Sequence, residues 1–124
     1  MSSLIFYAFV LFTLVISTKN SSKQYSQGKS IFILAGQSNM AGRGGLKSGS
    51  WDGYVPPECQ PSPKILRLNA ENKWEEARPP LHHDIDYLKT CGIGPGLAFA
   101  NSILKKELNI GEMALFLALL EEHK

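Results

Sequence analysis

Residues 30–45 read SIFILAGQSNMAGRGG, and this passage from an apolar run into a glycine-rich turn sets the fold class. Ser30 to Ala35 is short, apolar and partly β-branched, and it is bounded by Gly28 and Gly36, which predicts a strand buried on both faces. A serine in a tight turn leaving such a strand is carried to the carboxyl edge of a sheet, where open α/β sheets place their ligands. A helix starting just beyond it would aim backbone N–H groups and a helix dipole at the same point, which suits a developing oxyanion. Ser38 is therefore the candidate nucleophile, and Gly36, Gln37, Asn39 and Gly42 form the turn around it. Gly36 and Gly42 permit the close backbone approach that a crowded turn requires. The same residues also suit a plain helix cap. They do not form a G-x-S-x-G elbow, because Met40 stands two positions after Ser38.

Toward the N-terminus, residues 18–29 are polar and Ser-rich and predict a flexible lead-in. Before them, Leu4 to Ile16 (LIFYAFVLFTLVI) has the length of a secretory signal's hydrophobic stretch and is short for a membrane span. No Lys or Arg precedes it. A signal peptide over residues 1–17, cut near Ser17–Thr18, is expected, which implies a secreted protein with no membrane attachment after cleavage. An uncleaved anchor and a buried helix are the alternatives. Asn20-Ser21-Ser22 is then a glycan acceptor pattern. Secretion also permits a bond between Cys59 and Cys91, the only two cysteines, although two free thiols fit the sequence equally.

Toward the C-terminus, residues 46–63 hold Gly49, Gly53 and four prolines and predict a long surface loop. Lys64 to Leu68 (KILRL) alternates apolar and basic side chains, as a half-exposed strand does, and Asn69 to Asn72 predicts a turn into a short return strand at Lys73 to Glu76. A second loop, Leu81 to Pro95, contains LHHDIDYLKT. A helix is expected from Gly96 or Leu97, with Leu97, Ala100, Leu104 and Leu108 on one face, Pro95 at its start, Lys105 and Lys106 in its last turn, and Asn109 and Gly111 as stops. Met113 to Lys124 (MALFLALLEEHK) is compatible with a helix or an interior strand.

Composition narrows the function. At 124 residues the chain has room for one modest domain, here residues 30–124. A formal charge of +2 without a basic run does not fit a nucleic-acid partner. The glycines form neither a phosphate-binding loop nor a dinucleotide fingerprint, and no cofactor is expected. Two cysteines without C-x-x-C spacing do not make a zinc site, and no metal is expected. His82, His83, Asp84 and Asp86 have the residue types of a catalytic relay or a metal set but lack organising spacing, so they are expected to line a pocket mouth. Trp51 and Tyr54 suit either sugar stacking or pinning of their loop.

FILAGQSNMAGRGG (residues 32–45), Pro80-Leu81-His82 and CGIGPGLAFA (residues 91–100) resemble the SGNH hydrolases, and more closely the sialic-acid-specific acetylesterase (SASA) domain of plant carbohydrate esterases. The likeness covers residues 30 to 111. It implies a flavodoxin-like three-layer α/β/α sandwich and hydrolysis of acyl esters, typically acetyl, on sugars. Ser38 would be the nucleophile and its N–H an oxyanion donor. The resemblance also implies a general base in an Asp-x-x-His block of a longer chain. That block is absent here, and the only late histidine is His123. The expectation is a domain truncated after its first long helix and inactive alone. The alternative is a non-catalytic secreted isoform with a carbohydrate-binding or assembly role.

Overall fold

A computed structural model describes residues 28–120; the expected signal peptide, most of the lead-in and His123 lie outside the described residues. The core is a mixed α/β sheet. Strand β1 (Ser30–Gly36) stands at one edge, and the short hairpin strands β2 (Leu46–Lys47) and β3 (Ser50–Trp51) form a separate ribbon. Strands β4 (Ile65–Leu68), β5 (Trp74–Glu76) and β6 (Met113–Leu119) complete the main sheet in the order β1-β6-β4-β5. β6 pairs in parallel with β1, from Ser30↔Met113 to Gly36↔Leu119, and with β4 from Ile65↔Met113, while β5 is antiparallel. The stretch at Met113 is thus an interior strand. Its uninterrupted apolar run is what a strand flanked on both sides needs, and Met113, Ala114 and Leu115 are fully buried.

The helix α1 (Ser38–Ala41) is a single turn, and α2 (Gly96–Lys106) lies over one face of the sheet. Leu97 and Ala100 face the core, and the Phe99 ring meets Phe32 edge to face with centroids 5.6 Å apart. Gly96 starts the helix hard against the sheet: a Cβ there would lie 2.7 Å from methyl groups of Leu34 and Leu81. The helix ends at Lys106, earlier than expected, so Leu108 falls outside it and is exposed. Asn101 donates from Nδ2 to the carbonyls of Glu58 and Gln60, at 2.9 and 3.0 Å, and ties the 3-10 turn Pro57–Cys59 to the helix.

Three expectations need correction. β1 is covered on one face only: Phe32 and Leu34 point to α2, whereas Ile31 and Ile33 remain 64% and 69% exposed. Phe116 shares that open face through its pairing with Ile33, and among the described residues no second helical layer covers it. β4 buries Ile65 and Arg67 instead of exposing its basic side chain, because the guanidinium meets three acceptors, the Leu81 carbonyl and the partly exposed carboxylates of Asp84 and Glu75. The stretch 46–63 is not all loop: Ser48 and Gly49, both at positive φ (49° and 82°), make the two-residue turn that closes the β2–β3 hairpin. Cys59 and Cys91 are buried free thiols, whose pKa values burial pushes up. No helix among the described residues is long and apolar enough to cross a membrane.

Candidate active site

Ser38 is the first residue of α1, exposed, two residues beyond β1 at the carboxyl edge of the parallel strands. The Gln37 carbonyl accepts from the N–H groups of Met40 and Ala41, at 2.9 and 3.0 Å, and the Ser38 carbonyl accepts from Gly42 at 3.0 Å. Gln37 and Asn39 flank the serine at the surface. Gly36 is required because the turn folds back on the strand end: a Cβ there would sit 2.7 Å from the Met40 Cβ.

The second glycine-bearing block supports this turn. Gly44 and Ile93 exchange backbone bonds of 2.9 and 2.8 Å, and the Gly92 N–H donates to the Gly42 carbonyl at 3.0 Å. Gly42, at φ 97°, has no room for a side chain, since a Cβ would lie 2.6 Å from the Gly92 carbonyl oxygen. Gly94 also lies close to Met40, whose carbonyl oxygen would be 2.9 Å from a Cβ. Blocks 36–45 and 91–96, separate in sequence, therefore touch backbone to backbone.

Arg43 completes the attachment. Its Nη2 pairs with Asp86 Oδ2 at 2.7 Å, and its Nη1 donates to the carbonyls of Gly42 and Thr90 at 3.0 and 3.4 Å. Asp86 is thus a buried anchor and not a pocket-mouth residue. Asp84 is likewise structural. It receives Arg67 Nη1 on Oδ1 at 2.6 Å and the Ala70 N–H on Oδ2 at 2.9 Å. Burial alone would raise its pKa, but those donors overrule burial and hold the carboxyl at about 2, below its ordinary 3.8. The stability this group contributes is full above its ordinary pKa and is lost as pH falls through about 2. Wild type should accordingly lose about 2 kcal/mol across that window, measured by denaturant titration at successive pH values, and Asp84→Asn should flatten this part of the profile.

Neither histidine of the loop engages Ser38. His82 is 1% exposed, and neither ring nitrogen has a hydrogen-bond partner among the described residues. Burial pushes its pKa down, opposed in part by the Asp86 charge. His83 is exposed, with Nδ1 2.9 Å from the Pro80 carbonyl oxygen. Among the described residues no group of three or more His, Cys, Asp or Glu side chains converges as a metal set would. Trp51 packs beside Gly45 with its Nε1 buried, which pins the hairpin, while Tyr54 is free at the surface.

The fold and the turn define an α/β protein that presents a serine at the carboxyl edge of parallel strands, on a platform made of two glycine-bearing blocks. Residues 28–117 match the family model described as carbohydrate esterase, sialic acid-specific acetylesterase, and the chain belongs to that family. It is 58% identical over 79 residues to a probable carbohydrate esterase of Arabidopsis thaliana, an alignment covering 59% of this chain and 30% of that protein. A 1.6 Å X-ray structure of an Arabidopsis thaliana protein matches with a TM-score of 0.66 and 49% identity, over 70% of this chain and 38% of the other. The chain thus spans well under half the length of these relatives.

Proposed function

We propose that this chain supplies the serine-bearing part of an esterase that removes O-acyl groups, typically acetyl, from sugars, with Ser38 as the attacking hydroxyl. The observation that carries this is the exposure of Ser38 on a rigidly backed turn at the carboxyl edge of the sheet, in a member of a carbohydrate esterase family. Attack of Oγ on the acyl carbon would form a tetrahedral oxyanion. The Ser38 N–H precedes the first backbone bond of the turn, which Met40 donates, and is the natural donor to that oxygen. Gly36, Gln37, Asn39 and Gly42 shape the turn without taking part in bond making. The complete domain would be a three-layer sandwich whose further layer covers Ile31 and Ile33, acting outside the cell after loss of residues 1–17.

The hydroxyl also needs a base to take its proton. Among the described residues neither His82 nitrogen has a partner and His83 lies against the Pro80 carbonyl, so neither serves Ser38, which supports the reading that the chain alone is a poor catalyst. Serine hydrolases stripped of their relay retain at most about 10³–10⁴-fold acceleration over water. The same observation favours the alternative, a non-catalytic secreted protein that binds carbohydrate or assembles with another chain. Purified protein should be assayed on p-nitrophenyl acetate and on an acetylated sugar beside Ser38→Ala. The expected result is slow hydrolysis that the substitution abolishes; equal rates for the two proteins would overturn catalysis in favour of the non-catalytic role.

A further inference from the structure

His82 combines two properties that rarely occur together: its ring is buried to 1% exposure, and both nitrogens lack a hydrogen-bond partner among the described residues. Its backbone carbonyl, in contrast, is used twice. The His82 carbonyl accepts from the N–H groups of Ile85 and Asp86, at 3.0 and 2.8 Å, and closes the turn that delivers the Asp86 carboxylate to Arg43. The Asp86 carbonyl accepts in turn from Lys89, and the Thr90 carbonyl accepts from Arg43. Residues 82–91 therefore form one brace, which holds the backbone at 42–44, directly after the Ser38 turn, through Arg43 and the Gly92–Gly42 bond.

We propose that His82 is a proton-operated latch on this brace: the neutral ring fills the core under residues 82–91 and keeps Asp86 on Arg43, and the protonated ring leaves the core and releases the brace. Four charged groups act on the ring. They are Arg67 from β4, Arg43 from the segment after α1, and Asp84 and Asp86 from the brace itself. The two carboxylates are already committed. Asp84 is held by Arg67 and the Ala70 N–H, and Asp86 by Arg43. A neutral imidazole leaves one donor and one acceptor unmatched, whereas an imidazolium leaves two donors and a buried charge. Burial accordingly lowers the His82 pKa from its ordinary 6.5. The closed brace is fully favoured above 6.5 and loses that advantage as pH falls through the lower folded value.

The latch acts on the turn that carries Ser38 but does not require Ser38 to be a nucleophile. Its test reads local order and not hydrolysis, so its failure is distinct from failure of the esterase proposal. Hydrogen exchange of the full chain, corrected for the intrinsic pH dependence of exchange, should be followed by mass spectrometry from neutral to about pH 4.5, above the range of Asp84. In wild type, opening of residues 82–91 and 40–44 should increase about tenfold per pH unit through the histidine window, the slope of a single proton taken up, while α2 keeps its protection. His82→Leu and His82→Phe should be flat in this range, and His83→Gln should follow wild type. An NMR titration of the wild-type His82 ring should give a midpoint below the ordinary value and coincident with the opening. That titration decides the matter should both core variants fail to fold. Protection unchanged by acid, the same acid response in the His82 variants, simultaneous opening of α2, or a ring that titrates at the ordinary value would each overturn the latch.

Discussion

Replacing Arg67 with methionine is expected to cost about 3 kcal/mol, a large loss for a change outside the apolar core. The guanidinium is 2% exposed and donates to Asp84 Oδ1 at 2.6 Å, to the Leu81 carbonyl at 2.8 Å and to Glu75 Oε1 at 2.6 Å. It thereby joins β4, β5 and the start of the brace at one point. Methionine fills much of the space but strands Asp84, 25% exposed and left without its counter-ion. Breaking a buried pair from one side costs about 3–5 kcal/mol, and the partial exposure of both acceptors places this case at the low end. Lysine should restore only a fraction, because one ammonium cannot serve three acceptors spread over two arms of a fork. Pairing Arg67→Met with Asp84→Asn should recover about 1 kcal/mol or more, since the stranded charge is then gone. Urea denaturation of the four proteins gives the cycle; a single-mutant loss under about 0.5 kcal/mol, ordinary for a surface substitution, would show that the network contributes little.

Gly92→Ala should cost about 2–4 kcal/mol and displace the Ser38 turn as well. A Cβ on Gly92 would collide with the Gly44 carbonyl, a backbone group with no freedom to rotate away, so the two segments must part and the Gly44–Ile93 bonds must lengthen or break. Gly49→Ala is the informative control. Gly49, unlike Gly92, sits at positive φ, 82°, and a Cβ there would meet nothing within 4 Å. It should therefore show only the backbone penalty, about 1–2 kcal/mol. Denaturant midpoints for the two variants, with exchange rates at residues 40–44, separate close approach from left-handed backbone strain. Equal losses with an undisturbed turn would mean that the two blocks do not depend on each other.

β1, the serine turn and the start of α2 were legible because each is written in local terms: an apolar run between glycines, a glycine-rich exit, a proline before a helical stripe. The turn at Asn69 was equally plain, and Asn69 Oδ1 does accept from the Glu71 and Lys73 N–H groups, at 3.0 and 2.9 Å. What escaped depends on partners distant in sequence. Nothing in KILRL says that its arginine points inward; that requires Asp84 and Glu75 to arrive from elsewhere. Met113 to Leu119 could not be assigned locally because its apolar run suits either structure, and only two parallel neighbours decide it. Likewise, Asp86 looked like a pocket residue until Arg43 claimed it. The hairpin at 46–51 had a local signal, Ser48-Gly49, hidden within a stretch dominated by glycine and proline.

The placement of β6 has a consequence for synthesis. β1 and β4 are not neighbours; each meets the other only through β6, which follows both by a long interval of chain. As the polypeptide leaves the ribosome, β4 can pair with β5, but β1 has no partner in the described sheet until β6 arrives. Joining β1 to the β4–β5 hairpin is therefore expected to be a late event, which waits until Met113–Leu119 emerges and slots between strands made long before. Nascent chains stalled short of that strand should be the species that chaperones hold and proteases cut.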